Sequence, residues 1–301
     1  MTRIQVLRGG AIGDFVLTLP ALTALRRQWP AAYIELVGYP RIAQLAQWGG
    51  VVDRVESLDD AEVARFFSAR PLLTNDQRKH VGSFDVVVSY LYDPSGLVKQ
   101  NLLDAGAGHV IYGSPKVEDV HAADHLMRPL EELAIYRDGE AVPRLRAREP
   151  ELAVRGRPYV VMHPGSGSVR KNWPCERFIE VAGAIRDELE VEVVFSVGEA
   201  DGEIAEMLSN QQEFTVMQGM SLTELARVLS GCVGYVGNDS GITHLAAAVG
   251  VAVVAIFGAS NKLLWSPRGD VRIVESCDQD GGECDIEVDD VIGAAASHFG
   301  R

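Results

Sequence analysis

The sequence predicts an α/β fold made of two Rossmann-like domains that face a cleft. Short apolar runs alternate with longer stretches of helical periodicity, which is the pattern of a doubly wound parallel sheet. The alternation is interrupted once, at residues 140–158, where three prolines stand among charged side chains. Because 301 residues suffice for two domains of about 150 residues each, we predict an N-terminal domain over residues 1–150 and a C-terminal domain over residues 151–301.

The N-terminal half alternates strand and helix in regular order. Its predicted strands are the apolar runs at residues 4–7, 33–37, 52–58, 85–91 and 109–112. The helical patterns that follow them lie at residues 16–25, 42–48, 61–67, 96–105 and 122–133. Pro20 lies inside the first helical pattern. Since proline lacks the N–H that a helix interior needs, we expect that helix to restart or kink there.

The same alternation returns after the proline-rich segment. Its predicted strands and last helix lie at residues 159–162, 191–197, 215–218, 234–236, 253–257, 271–274 and 288–299. Helices are expected between the strands. One of them begins at Ser221, because Ser221 and Glu224 have the spacing of a capping box.

The glycine-rich loop at residues 8–14 is not a dinucleotide-binding fingerprint. Gly9, Ala11 and Asp14 stand at the three glycine positions of the G-x-G-x-x-G pattern. The Asp14 side chain occupies the place where a glycine permits tight helix packing, which argues against NAD. From its position, Asp14 is either a helix N-cap or a carboxylate at the edge of the cleft.

The polar turn at residues 237–243 is the first candidate ligand site. It follows an apolar strand and precedes a helix of small residues that opens at Ser240. A helix start presents N–H groups without intrahelical partners and the positive end of the helix dipole. Gly241 leaves room for a ligand, and Ser240 and Thr243 add hydroxyl donors, so the turn fits a pyrophosphate. An ordinary capped turn is the alternative, since serine is a favoured cap.

A second polar loop, at residues 163–174, strengthens this prediction. It also follows an apolar strand and precedes a helical pattern. Its glycines and its serines, Ser166 and Ser168, provide a flexible loop rich in amide and hydroxyl donors, and Lys171 adds a mobile positive charge.

Charge is distributed unevenly along the chain. The formal net charge is −14. Residues 1–150 carry 17 basic and 19 acidic side chains, whereas residues 151–301 carry 11 and 23. This balance argues against a nucleic-acid partner, which requires a basic face. An acidic half must bind a pyrophosphate locally, through aimed amides and Lys171. The near-neutral half is the better candidate for an anionic acceptor.

Cysteine use and hydropathy bear on location. Four scattered cysteines fit a reducing compartment. Cys277 and Cys284 lie among acidic residues, but their spacing does not suit zinc, and we interpret this stretch as a surface loop. The chain shows no signal-peptide core, and no apolar run approaches the roughly 20 residues of a membrane span. We predict a monomeric cytoplasmic protein whose membrane contact is peripheral, at the inner face of the cytoplasmic membrane.

Taken together, the motifs resemble those of family 9 glycosyltransferases, the lipopolysaccharide heptosyltransferases. The matching elements are Gly13-Asp14 with Thr18-Leu19-Pro20-Ala21-Leu22, Lys171-x-Trp173-Pro174, Met220-Ser221-Leu222, and Asn238-Asp239-Ser240-Gly241 with His244. They occur in the family's order over most of the chain, and the combination is specific. The resemblance implies the GT-B fold. We predict that the N-terminal domain binds the acceptor and the C-terminal domain binds the nucleotide-sugar donor.

The resemblance also suggests roles for these residues. It makes Asp14 the general base that deprotonates an acceptor hydroxyl. Lys171 and the helix dipole can balance the charge that builds on the departing diphosphate. Met220 would lie beside the nucleobase. The remaining residues of the matching turn would line the donor site: Asp239, Ser240, Gly241, Thr243 and His244.

Position in the chain suggests further donor contacts. Ser166, Ser168 and Arg170 flank Lys171 in the second loop. Glu199 follows a predicted strand and is a candidate for the ribose hydroxyls, and Glu203 fits that role equally by spacing.

A basic insertion between residues 67 and 82 is the candidate acceptor contact. It places Arg70, Arg78, Lys79 and His80 beside Arg65. Such a segment is either a solvated loop or a basic rim that receives a phosphorylated or carboxylated acceptor.

We therefore predict a metal-independent glycosyltransferase that moves a heptose or related sugar from an ADP-sugar, such as ADP-heptose, to a hydroxyl of a glycan or lipid-linked acceptor, such as lipopolysaccharide inner core. The resemblance implies that the transfer inverts the sugar carbon. No Asp-x-Asp pair is positioned to hold a metal on a diphosphate, and no cofactor is expected. Two other classes remain open, a GT-B sugar-nucleotide epimerase or hydrolase and a non-catalytic nucleotide-binding relative. The first spreads several acid/base residues through its cleft, whereas Asp14 is the one good candidate here. Retention of Asp14 and Lys171 argues against the second.

Overall fold

The chain forms two compact units, Met1–Pro143 and Arg144–Arg301. The computed structural model describes residues 1–146, 154, 156–258, 260–275 and 286–300. The division falls within the proline-rich segment at residues 140–158, seven residues before the boundary expected from the sequence. The predicted surface loop with Cys277 and Cys284 lies outside the described residues.

The first unit is built on a five-stranded parallel sheet. Its strands in chain order are β1 (Arg3–Arg8), β2 (Tyr33–Gly38), β3 (Arg54–Ser57), β4 (Val86–Ser89) and β5 (His109–Tyr112). Their order in the sheet is β3-β2-β1-β4-β5, and each neighbouring pair is parallel. The chain therefore runs outward from β1 in one direction and from β4 in the other. The crevice at the carboxyl ends of these two strands is where such sheets bind ligands.

Helices connect these strands. They are α1 (Ile12–Val16), α2 (Leu19–Gln28), α3 (Pro40–Trp48), α4 (Ala61–Ala64), α5 (Asn75–Val81), α6 (Leu97–Asp104) and α7 (Ala122–Met127). Short 3-10 helices occupy Arg65–Phe67 and Arg128–Leu133. The break expected near Pro20 is confirmed, because α1 ends at Val16 and α2 begins at Leu19 with the proline in its first turn.

The basic insertion contains a helix that its sequence did not reveal. Helix α5 begins with a capping box, in which Thr74 Oγ1 accepts from the N–H of Gln77 at 3.2 Å and Gln77 Oε1 accepts from the N–H of Thr74 at 2.8 Å. With seven residues, α5 is too short for its periodicity to stand out, so its tertiary contacts decide its existence.

A buried carboxylate fastens α5 to the sheet. Glu35, in the middle of β2, is fully buried, and its Oε1 accepts from Gln5 Nε2 at 2.8 Å and from His80 Nε2 of α5 at 2.9 Å. Burial alone would raise the pKa of the Glu35 carboxyl, but the hydrogen bonds from His80 and Gln5 outweigh it and lower that pKa. The bond to Glu35 in turn raises the pKa of His80. We read residues 33–37 as an apolar strand, and the structure shows that its central side chain is ionic.

The contact between His80 and Glu35 predicts a pH-dependent stability. Because the folded protein raises the pKa of His80, the contact stabilises the fold. Its contribution to the free energy of unfolding is full at pH values below the ordinary histidine pKa of about 6.5, and it is lost as pH rises through the pKa of His80 in the folded state. Because the folded protein lowers the pKa of Glu35, this carboxylate contributes stability at pH values above its ordinary pKa. That contribution is lost as pH falls through the pKa of Glu35 in the folded state. Wild type should therefore exceed His80→Gln in stability by up to about 1 kcal/mol near pH 5.5, since His80 is half-exposed and screened. The difference should shrink toward pH 9.

Urea unfolding of both variants across this pH range measures the effect. His109→Gln is the matched control, because His109 is also half-exposed but lies farther, 3.6 Å, from its carboxylate on Glu132. A stability difference between wild type and His80→Gln that stays constant from pH 5.5 to pH 9 contradicts the prediction.

The second unit is built on a six-stranded parallel sheet. Its strands are β6 (Tyr159–His163), β7 (Glu192–Val197), β8 (Thr215–Gln218), β9 (Gly234–Asn238), β10 (Val253–Phe257) and β11 (Val271–Glu275). Their order is β11-β10-β9-β6-β7-β8. The chain again runs outward in two directions, from β6 and from β9, so the crevice of this unit lies at the carboxyl ends of those two strands. The prediction of two parallel α/β domains is confirmed.

Six helices cover this sheet within the described residues. They are α8 (Cys175–Leu189), α9 (Gly202–Ser209), α10 (Leu222–Gly231), α11 (Gly241–Val249), α12 (Lys262–Trp265) and α13 (Val288–Phe299), and a 3-10 helix occupies Val169–Lys171. The apolar face expected for α8 is buried in the core at Phe178, Val181, Ala182 and Ile185. The predicted packing role of Trp173 is also observed, because its ring is buried edge-on to Phe178 and its Nε1–H donates to the carbonyl of Ile286 at 3.0 Å.

Candidate functional site

The two polar loops of the second unit meet because β6 and β9 are neighbours. These strands pair in parallel, with His163 beside Gly237 at their carboxyl ends. The loop after β6 carries Lys171, and the turn after β9 opens α11 at Gly241. Motifs separated by about 70 residues in the sequence are thus adjacent at one sheet edge.

A buried asparagine joins the two loops. Asn238, the last residue of β9, is fully buried, its Nδ2 donates to the carbonyl of Pro164 at 2.7 Å, and its Oδ1 accepts from the N–H of Trp173 at 3.1 Å. Both ends of the loop after β6 are therefore held by one amide. We assigned no role to Asn238 from the sequence, although a polar residue that ends an apolar strand was a signal for one.

The turn after Asn238 is a capped helix start. Ser240 Oγ accepts from the N–H of Thr243 at 3.3 Å. The Thr243 hydroxyl is fully buried, lies 3.0 Å from Tyr235 Oη and donates to the carbonyl of Asn238. Thr243 is a predicted ligand donor, and in the structure its hydroxyl takes part in these contacts, which hold the turn. Glycine is required at position 237, in the strand before this turn, because a Cβ there would clash with Tyr235 Oη at 2.3 Å.

Lys171 and Asp239 form an ion pair at the start of α11. Lys171 Nζ lies 2.7 Å from Asp239 Oδ2, with the lysine side chain 43% exposed and the aspartate 6% exposed. A buried carboxylate needs such a partner, because burying an unpaired charge is costly. Through Asp239, the pair holds an ammonium group two residues before α11 begins at Gly241. The sequence suggested Lys171 and Asp239 separately, and the structure brings them together.

Residues of the loop after β6 form hydrogen bonds with one another. Ser166 Oγ lies 2.7 Å from the carbonyl of Ser168 and 2.6 Å from Asn172 Oδ1. Ser168 and Arg170 are exposed. His163, at the base of the loop, is buried and donates from Nδ1 to the carbonyl of Ser196 at 2.8 Å. Burial lowers the pKa of His163, which favours the neutral imidazole.

The turn after β7 packs against the same loop. A Cβ at Gly165 would lie 2.2 Å from Asp201 Oδ1, so only glycine fits there. Asp201 is buried and its Oδ2 accepts from the N–H of Gly198 at 2.8 Å. Glu199 and Glu203, the two candidates for ribose, are exposed around this turn. Asp201 was not among the candidates, and its part is to hold the turn in place.

The remaining predicted donor residues belong to α10 and α11. Met220 is partly buried and precedes α10. The capping box predicted there is confirmed, since Ser221 Oγ accepts from the N–H of Glu224 at 3.3 Å and Glu224 Oε2 accepts from the N–H of Ser221 at 2.8 Å. His244 is buried one turn into α11, and its N–H donates to the carbonyl of Ser240 at 3.3 Å.

In the first unit, Asp14 lies in the first turn of α1, just after the loop that follows β1. Its Oδ2 accepts from the N–H of Ala11 at 3.0 Å, so it caps the first turn of α1 from inside the helix. Its carbonyl accepts from Arg8 Nη2 at 2.9 Å and from Thr18 Oγ1 at 2.8 Å. Gly10, at φ +99°, packs against Asp14, where a Cβ would approach Asp14 Cβ to 2.9 Å. The turn is thus built around Asp14, which is partly buried near the carboxyl end of β1.

The four basic residues of the insertion differ in their contacts. Arg65 Nη1 donates to Gln77 Oε1 at 3.0 Å, and Arg78 Nη1 donates to the carbonyl of Asp104 at the end of α6, also at 3.0 Å. Arg70 and Lys79 have exposed side chains. Arg65 and Arg78 therefore support the insertion itself, whereas Arg70 and Lys79 face solvent.

Among the residues that the structure describes, no group of three or more His, Cys, Asp or Glu side chains is arranged to hold a metal ion. None of the described helices is both long and apolar enough to cross a membrane.

Comparisons with known proteins identify the class and then the family. The architecture of two parallel α/β units is that of GT-B proteins, and a glycosyltransferase family 9 structure from Veillonella parvula superimposes with a TM-score of 0.80 at 23% identity, covering 99% of this chain and 97% of the other. The family model "Glycosyltransferase family 9 (heptosyltransferase)" matches residues 110–286. The chain belongs to this family and is a glycosyltransferase.

Two further relatives are heptosyltransferases. Lipopolysaccharide heptosyltransferase 1 of Pseudomonas aeruginosa is 25% identical over 86% of this chain and 79% of its own length. The Escherichia coli heptosyltransferase WaaC, solved with ADP, superimposes with a TM-score of 0.74 at 20% identity, covering 98% of this chain and 99% of that one. Both relatives are thus heptosyltransferases, and the Pseudomonas aeruginosa protein is named a lipopolysaccharide heptosyltransferase.

Proposed function

We propose that this protein transfers a heptose from ADP-heptose to a hydroxyl of a glycan acceptor, such as lipopolysaccharide inner core, with inversion at the sugar carbon and without a metal ion. The observation that carries the proposal is the Lys171–Asp239 pair just before the start of α11, because it holds a cation near a helix start in the unit that corresponds to the donor domain. The ADP in the WaaC neighbour and the ADP-2-deoxy-2-fluoro heptose in another solved neighbour support the choice of donor.

The donor site follows from the chemistry of a diphosphate. The N–H groups and dipole at the start of α11 attract an anion, and Ser240 and Gly241 form the turn that borders it. Ser166, Ser168 and Arg170 lie on the loop that carries Lys171. Residues on neighbouring turns complete the proposed site for the nucleoside and the sugar: Glu199, Met220, Asp239 and His244.

In the proposed step, the acceptor oxygen forms a bond to the anomeric carbon while the bond from that carbon to the ADP oxygen breaks. The acceptor proton passes to the Asp14 carboxylate, and ADP leaves with the electron pair of the broken bond. Lys171 balances the charge that develops on the leaving diphosphate, which is the usual task of a preorganised cation. A single displacement of this kind inverts the anomeric carbon.

The two alternatives are less well supported. An epimerase or hydrolase needs no acceptor, whereas the lipopolysaccharide relatives of this chain are named as transferases. Retention of Asp14 together with Lys171 argues against a non-catalytic relative.

Nucleotide preference tests the proposed donor. ADP is expected to raise the thermal unfolding midpoint more than UDP at equal concentration, with a stabilisation of about 2.7 kcal/mol once ADP reaches 100 times its dissociation constant. Differential scanning fluorimetry of the whole chain measures it, and production of ADP from ADP-heptose with an inner-core acceptor is the matching activity assay. Equal or greater stabilisation by UDP counts against an ADP-sugar donor.

The basic insertion is the proposed contact for an anionic acceptor. Replacing Arg70 and Lys79 together by Gln is expected to raise the acceptor KM several-fold at low salt, because both side chains are exposed. The effect should shrink as salt rises, since the Debye length is only about 8 Å at 0.15 M. Steady-state kinetics at several salt concentrations measure both trends. Arg27→Gln with Arg146→Gln is a control with the same loss of charge at other exposed positions. A change confined to the donor KM would remove this role from the insertion.

A further inference from the structure

A cavity of about 350 Å³ lies in the first unit between the sheet and helix α5. Its size is within the range of pockets that hold small molecules, roughly 300–1,000 Å³. None of the residues that line it belongs to α1, the helix that carries Asp14. Its floor is formed by alternate residues of neighbouring strands, Gln5 and Leu7 of β1 and Glu35 and Val37 of β2.

The polar floor is unusual for a parallel sheet. Strands covered on both faces normally carry apolar side chains throughout. Here Gln5 lies beside Glu35 in register, and both side chains are more than nine-tenths buried. Glu35 Oε1 takes the short bonds from Gln5 and His80, while Oε2 has a longer contact, 3.4 Å from Tyr33 Oη. A carboxylate accepts up to about four hydrogen bonds, so Glu35 has capacity for another donor.

The charged residues around the cavity indicate which ligand charge it favours. Among the described residues, four acidic side chains line it, Glu35, Glu56, Asp60 and Asp76, against two basic ones, Arg54 and His80. His80 contacts Glu35 and Arg54 contacts Glu56. Two of the acidic side chains, Asp60 and Asp76, stand at the exposed rim. An anionic ligand is therefore disfavoured, and a cation is attracted both at the floor and at the rim.

The wall between floor and rim is apolar. Leu7, Val37, Phe66 and Val81 are buried and line the cavity, together with Val63 of α4. These side chains suit a short hydrocarbon chain, and an aromatic ring also attracts a nearby ammonium group.

We propose that this cavity binds a short aliphatic amine, with one ammonium group at Glu35, methylene groups along the apolar wall and a second ammonium group at the acidic rim. The site is independent of the proposed transfer reaction. A ligand there would touch both the sheet and α5.

Calorimetric titration of the whole protein with three probes tests the proposal. Each probe has a chain of four methylene groups, and only the end groups differ. They are 1,4-diaminobutane, butane-1,4-diol and adipate, which carry positive, neutral and negative ends. We expect 1,4-diaminobutane to bind once per chain, and the diol and adipate to bind at least tenfold more weakly. Absence of diamine binding at millimolar concentration, or equal binding of the diol or adipate, overturns the proposal.

Two variants localise the binding. Glu35→Gln should weaken diamine binding at least tenfold, whereas Glu188→Gln, an equal change of charge at an exposed position of α8, should leave it unchanged. Val63→Phe fills the cavity without touching the buried carboxylate and should also abolish binding, so it decides the matter if Glu35→Gln does not fold. Diamine binding that survives both variants, or that falls equally in Glu188→Gln, shows non-specific attraction to an acidic chain and overturns the site.

Discussion

Replacing Asp14 by Asn is expected to lower the turnover number by about 10²–10⁴-fold, the usual value of a positioned proton transfer. The substitution removes the basicity of the side chain and keeps its shape. The N–H of Ala11, which donates to Asp14 Oδ2 at 3.0 Å, can donate equally to an asparagine oxygen. The bonds from Arg8 and Thr18 go to the backbone carbonyl of Asp14 and do not depend on the side chain. Fold and ADP affinity should therefore be retained.

This test separates the two interpretations of Asp14. If its carboxylate served only as a cap of α1, asparagine would replace it with little effect on activity. Initial rates, a melting curve and an ADP titration of Asp14→Asn together measure the outcome. Asp59→Asn makes the same change of charge at an exposed turn and should leave all three unchanged. Near wild-type turnover in Asp14→Asn would exclude a general base at this position.

Removing the ammonium group of Lys171 is expected to lower turnover by about 10²-fold or more, the range for a lost electrostatic contact to a transition state. Lys171→Ala has a second effect, because Asp239 is 6% exposed and would be left as a buried charge without its partner at 2.7 Å. Lower stability is therefore expected together with lower activity.

A double variant separates these effects. Lys171→Ala combined with Asp239→Asn removes the unpaired charge, so stability should recover while turnover stays low. Arg170→Ala is the matched control, since Arg170 is the neighbouring exposed cation and should matter less. An unchanged kcat with a raised KM in Lys171→Ala would mean that the lysine binds the ground state and the transition state equally. Recovery of activity in the double variant would make Lys171 a structural partner only.

The elements that could be predicted are those whose signals are local. The break before Leu19 follows from Pro20, and the start of α10 follows from the spacing of Ser221 and Glu224. Helix α5 was missed although Thr74 and Gln77 have the spacing of a capping box, because its seven residues lie in a polar segment where periodicity gives little signal. The buried Glu35 was missed because a strand with one charged residue still has the composition of an apolar strand.

By itself, the sequence determined the class of the fold, the positions of most strands and helices, and the polar stretches that belong to the family. Periodicity, turn chemistry and residue type are all properties of neighbours along the chain. Only the tertiary structure decided that Lys171 and Asp239, 68 residues apart, form one ion pair, and that Asn238 joins the two loops. It also decided that the Thr243 hydroxyl turns inward and that Glu35 meets His80 across 45 residues. The physical reason is the order of the strands, because which loops share a sheet edge depends on which distant strands pair.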